Sequence, residues 1–105
     1  MENPILMLET EIATVLRGIY DPEIPVNIFD LGLIYEINVD ESRNVEIVMT
    51  MTAPNCPMAD ELVQEVHEKI KAIPAVNELK VNLTFEPPWT KEMMTEEAML
   101  ELGLL

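Results

Sequence analysis

Leu33-Ile34-Tyr35-Glu36-Ile37-Asn38-Val39, then Asp40-Glu41-Ser42-Arg43-Asn44, then Val45-Glu46-Ile47-Val48-Met49-Thr50-Met51 is the stretch that decides the fold. In its first part Leu33, Tyr35, Ile37 and Val39 alternate with Ile34, Glu36 and Asn38. In its last part Val45, Ile47, Met49 and Met51 alternate with their neighbours. A period of two marks strands with one buried face, and the five polar residues between them are a turn, so the stretch predicts a β-hairpin.

Downstream, Thr52-Ala53-Pro54-Asn55-Cys56-Pro57 breaks the alternation and a helical pattern takes over. Pro57 suits a first turn, Asp60 and Glu61 favour the positive end of the helix dipole, and Met58, Leu62, Val66, Ile70 and Ile73 form one apolar stripe. Pro74 ends that helix. Leu79, Val81, Leu83 and Phe85 then predict a third strand, and strand-helix-strand predicts a parallel crossover. Pro87-Pro88-Trp89 opens the tail, where Thr95 caps a short last helix ending near Gly103.

Upstream, Leu8, Ile12, Val15, Leu16 and Ile19 recur at helical spacing, which predicts a helix from Met7 to about Gly18. Ile19 to Leu31 holds Pro22 and Pro25 and reads as an irregular loop carrying Asp21, Glu23 and Asp30. The order is α-β-β-α-β-α: an α/β (α+β) fold with a three-stranded mixed sheet covered by helices. Which strand is central is not readable. A chain of 105 residues supports one core, so residues 1–105 are expected to form a single domain.

Composition narrows the function. Twenty acidic residues against six basic ones give a net charge of −14, which repels nucleic-acid backbones and anionic lipid surfaces, so neither nucleic acid nor membrane is expected as a partner. No apolar run approaches the roughly 20 residues of a membrane span. With no secretory signal and one cysteine, which cannot form an intramolecular disulfide, the expected location is cytoplasmic.

Cys56 is the residue best placed for chemistry. A thiol just before a helix lies near unpaired amides and the positive dipole end, which favours the thiolate that binds metal or attacks sulfur. The only histidine, His67, sits eleven residues further on, about 16 Å away along a helix, too far to serve as its base. Nucleotide-binding glycine loops, zinc-type Cys/His patterns and serine-hydrolase elbows are absent, which argues against a self-contained enzyme. Asp21, Glu23 and Asp30 offer oxygen donors for hard or borderline metals, or are ordinary turn residues. Of the eight methionines, Met49, Met51 and Met58 read as core. Met93, Met94 and Met99 with Trp89 read either as a tail packed on its own domain or as a partner surface.

Asp21 to Tyr35 (Asp-Pro-Glu-Ile-Pro-Val-Asn-Ile-Phe-Asp-Leu-Gly-Leu-Ile-Tyr), Thr52 to Pro57 and Phe85-Glu86-Pro87-Pro88-Trp89-Thr90 together resemble the SufT/PaaD-like family of iron-sulfur cluster assembly proteins, in order and spacing, over Ile12 to Leu104. The resemblance implies a compact domain acting in iron-sulfur protein maturation, with Cys56 as the functional thiol and Asp21, Glu23, Ile24 and Thr52 gathered around it. The cysteine-rich C-terminal region of the longer PaaD proteins is missing, so a phenylacetate-type oxygenase role is the less favoured branch.

A cluster generally takes four thiolates and this chain supplies one, so iron or a labile cluster would be shared between chains, within a homodimer or with a carrier or client. Asp21 or Glu23 would complete the site. The expected partners are client iron-sulfur proteins and the assembly machinery. Two rival readings are a metal-free adaptor docking clients through the apolar tail, and an enzyme using Cys56 for persulfide or peroxide chemistry.

Overall fold

The computed structural model describes residues 3–21, 24–52 and 59–104. Helix α1 spans Pro4–Leu16, strand β1 Ile34–Val39, β2 Val45–Met49, α2 Ala59–Lys71, β3 Leu79–Leu83 and α3 Glu96–Glu101, with a short 3-10 turn at Lys91–Met93. The expected order is realised, and β2 is the central strand: β1 pairs with it antiparallel, β3 parallel.

Helix α1 starts three residues earlier than the apolar spacing predicts. Asn3 Oδ1 accepts from the Ile5 and Leu6 amides (2.9 and 3.4 Å), satisfying donors that the first turn leaves unpaired, and Pro4 occupies the first helical position where no donor is needed. Leu8, Ile12 and Leu16 are its buried side chains.

The hairpin turn is held by Asp40. Its Oδ1 accepts from the Ser42 and Asn44 amides, both at 2.9 Å, and Arg43 takes a left-handed conformation at φ 62°. The Asn44 amide, foremost among these contacts, lowers the Asp40 carboxyl below its ordinary 3.8. Register then follows from Val39 opposite Val45 and Ile37 opposite Ile47, with an irregularity between Ile34 and Glu36.

Alternation in β2 is complete: Val45, Ile47 and Met49 are buried, and Glu46 and Val48 are half-buried. The buried set joins one core cluster with Leu62, Val66, Ile70 and Ile73. Helix α2 lies against β3, α1 against β1, and the two helices touch. On the other side of the sheet Glu46 sits between two amides, Asn38 Nδ2 at 3.3 Å and Asn82 Nδ2 at 2.6 Å. Leu83 departs from the expected pattern at 37% exposure, because it ends an edge strand.

Two segments without a regular apolar period also contribute to the core. The loop before β1 is irregular yet contributes Ile19, Val26, Ile28 and Leu31 to the core, all at most 1% exposed. The tail packs on its own domain: Met94 and Ala98 are buried, and Trp89, Met99 and Leu102 lie against the core. Among the described residues no helix is long and apolar enough to cross a membrane.

Candidate functional site

Strand direction brings the first and third sequence motifs to the margin where the second sets out at Thr52. Because β1 runs against β2 and β3 runs with it, the beginning of β1 and the ends of β2 and β3 share one margin of the sheet. Two backbone bonds close that margin, Thr50 N–H to Leu33 O and Thr84 N–H to Met49 O, both 2.8 Å. The segment entering β1, the segment leaving β2 and the segment leaving β3 therefore meet there, a proximity that spacing alone does not reveal.

The first segment is built as a tight return. Tyr20 bridges Asn27, the Ile28 amide donates to Ile19 O (2.8 Å) and the Asp21 amide to Val26 O (3.3 Å). Asp21 is 5% exposed and its Oδ1 accepts from the Ile24 amide at 3.0 Å, so the carboxylate shapes the turn from inside. Ile24 is half-buried and packs on the core. Thr52 is a half-buried bend two residues past the Thr50 bond. Cys56 and Glu23 lie outside the described residues, as do Pro57 and Met58.

Asp30 is engaged elsewhere. Its Oδ2 accepts from Asn27 Nδ2 and its amide donates to Asn27 Oδ1, both at 2.9 Å, and the Arg17 guanidinium lies 4.0 Å from Oδ1. Arg17 also stacks over the Phe29 ring at 4.4 Å, and the Asp30 carbonyl accepts from the Thr95 amide at 2.9 Å. Asp30 thus ties the loop to the end of α1 and the start of α3. His67 is exposed on α2.

The first and third motifs are fastened to each other by side chains that donate to backbone. Trp89 Nε1 donates to Leu31 O at 2.7 Å, and the Tyr35 hydroxyl donates to Pro87 O at 2.6 Å. Neither anchoring role was apparent from spacing. Thr50 carries no signal in the sequence because it falls within an alternating strand pattern: it is fully buried, and its Oγ1 has no hydrogen-bond partner among the described residues. Asp21 and Thr50 are the buried polar side chains of the described residues, and they belong to the segments that enter β1 and leave β2.

Among the described residues no group of three or more His, Cys, Asp or Glu side chains could hold a metal ion. The margin offers a buried carboxylate, hydroxyls and hydrophobic walls, which by themselves do not enclose a metal.

Comparison with known proteins gives consistent results. Residues 9–86 match the family described as iron-sulfur cluster assembly protein. The chain is 52% identical, over the full length of both, to an Fe-S protein maturation auxiliary factor of Porphyromonas gingivalis. It is 37% identical to the Fe-S protein maturation auxiliary factor SufT of Staphylococcus aureus, over 82% of this chain and 98% of that one. A crystal structure titled as a domain of unknown function from Bacillus anthracis superposes with a TM-score of 0.88 at 40% identity, covering 95% of each chain.

Proposed function

Because this chain belongs to the iron-sulfur cluster assembly protein family, we propose that it serves the maturation of client iron-sulfur proteins by holding iron or a labile cluster, as cargo, through the thiolate of Cys56. The observation that supports this reading is that the start of β1, the end of β2 and the end of β3 share one margin of the sheet, and in the sequence Cys56 follows β2 by seven residues. Cargo held by one thiol is incompletely ligated, since a cluster generally takes four. A second chain, a carrier or the client itself supplies the rest, which suits a protein that must give its cargo away.

In this scheme Asp21 or Glu23 completes the site with an oxygen donor, and Asp21 also holds the Ile24 amide at 3.0 Å. Ile24 and Thr52 supply wall and hydroxyl, and the partners are client proteins and the assembly machinery. Asp30 acts at a distance by fixing the loop through Asn27 and Thr95. The reading requires no turnover of a small substrate, so the protein is a maturation factor and not an enzyme.

Anaerobic reconstitution with iron and sulfide, followed by absorption spectra and iron counting on wild type and Cys56→Ser, tests the proposal. Wild type should acquire chromophore and iron and the variant neither, with unchanged thermal unfolding. A Cys56→Ser protein that still matures clients in cells would replace the ligand role with a metal-free adaptor. That adaptor could not use Met94 as its docking surface, because Met94 is buried in the core, whereas Leu100 and Leu104 of the tail are exposed.

A further inference from the structure

Apart from the residues assigned to cargo, the same end of the sheet carries a groove of about 560 Å³ lined by Gly32, Ile34, Tyr35, Val48, Pro87 and Met93, with Glu36 and Glu86 at its rim. Its volume falls within the roughly 300–1,000 Å³ range of binding clefts. Two contacts hold it open in advance. The Tyr35 hydroxyl bonds Pro87 O and lies 3.7 Å from Met93 Sδ, and Gly32 approaches the Met93 backbone so closely that no side chain fits between them. Preformed walls spare an incoming segment the ordering that binding otherwise costs.

Charge decides the occupant. Both charged side chains at the groove are carboxylates, Glu36 and Glu86 are exposed, no lysine or arginine lines it among the described residues, and the chain as a whole carries −14. Val48 adds an apolar floor on the side of the sheet where its neighbours Glu46, Asn38 and Asn82 are polar. An apolar trough between carboxylates, in a field of the same sign, repels acidic segments and attracts basic ones. We propose that this groove docks a segment of a partner protein carrying an apolar side chain flanked by lysine or arginine. Docking here is independent of the cargo reading, because it needs neither iron nor Cys56.

The test uses the full chain, isotope-labelled, and two ten-residue peptides in which leucine and phenylalanine alternate with lysine in one and with glutamate in the other. The lysine peptide should move the amide resonances of Gly32, Glu36, Val48 and Met93 saturably, and the glutamate peptide should not. Glu36→Lys/Glu86→Lys should weaken binding about tenfold, the loss expected when two exposed ion pairs become repulsive. Glu41→Lys/Glu78→Lys makes the same change of net charge at the opposite end of the sheet and should leave binding within about twofold, as remote charges are screened by salt.

Several results overturn the proposal. Shifts spread evenly over the acidic surface, equal weakening by both double variants, or no saturable shift at millimolar lysine peptide would each do so. Movement of the same resonances with protein concentration alone would hand the groove to a second copy of the chain. The substituted glutamates are exposed, and the wild-type-like spectrum of each variant verifies its fold before titration.

Discussion

Replacing Gly32 by alanine strikes the point where the tail meets the entrance of β1. Gly32 has φ +84°, and an added Cβ would collide with the Met93 carbonyl oxygen while lying 2.9 Å from both Met93 C and Met93 Cβ. The left-handed backbone costs an L-residue about 1–2 kcal/mol. Forcing a methyl into packed backbone adds about 1–3 kcal/mol, for a total of about 2–5 kcal/mol. For a domain of this size each kcal/mol lowers the midpoint by roughly 4–8 °C, so the midpoint of thermal unfolding followed by circular dichroism should fall by roughly 8–40 °C. Gly103→Ala is the control, since Gly103 has φ +74° with nothing within 4 Å of its added Cβ and incurs only the backbone cost. Equal losses in the two variants would refute the close approach of Met93 to Gly32, and with it the preformed wall of the groove.

Two more outcomes follow from single residues. Thr50→Val removes a buried hydroxyl that has no partner among the described residues, and should raise stability by about 1–3 kcal/mol in urea titration; a loss instead would reveal a partner for Oγ1. Asp40→Ala should destabilise the protein at neutral pH, because the Asn44 amide lowers the Asp40 carboxyl below 3.8 in the folded state and the ionised form is the one that holds the turn. A lowered folded value means that this stabilisation is complete above 3.8 and is lost as pH falls through the folded value, so the gap between variant and wild type should close in acid. A gap that persists there would assign the effect to packing rather than charge.

The parts of the fold that could be read in the sequence are those where burial repeats at a fixed period. Val45, Ile47 and Met49 face the core because the strand shows it alternate residues, and Leu62, Val66 and Ile70 do so because a helix returns every three to four. Strand order lacks such a period, although the concentration of apolar residues in β2 against Glu36 and Asn38 in β1 and Lys80 and Asn82 in β3 is what a central strand flanked by edges produces. Ile19, Val26, Ile28 and Leu31 are buried by a loop whose turns place each residue singly, so no periodicity announced them. The start of α1 was written in Asn3-Pro4 as a cap and first-turn proline rather than in the apolar spacing. At the candidate site, the motif residues could be named but not brought together: the hydrogen bonds of Trp89 to Leu31 and Tyr35 to Pro87 join positions 58 and 52 residues apart.

Strand polarity explains why the candidate site forms at this margin and not the opposite one. In a β-α-β unit the carboxyl ends of the parallel strands are where connecting segments splay and leave room for ligands. The hairpin brings the amino end of β1 to the same place, which adds the loop containing Asp21. At the other margin Asp40 satisfies the turn amides, and Asn77 Nδ2 donates to Asn44 Oδ1 at 3.0 Å. The buried polar side chains of the described residues, Asp21 and Thr50, instead belong to segments of the first margin. Burying a carboxylate, and leaving a hydroxyl without a partner among the described residues, both oppose folding, while valine or leucine would fill such space without that cost. Departures from the most stable choice concentrate where a protein works, and here they lie in the segment entering β1 and in the segment that leaves β2 and runs on in sequence to Cys56.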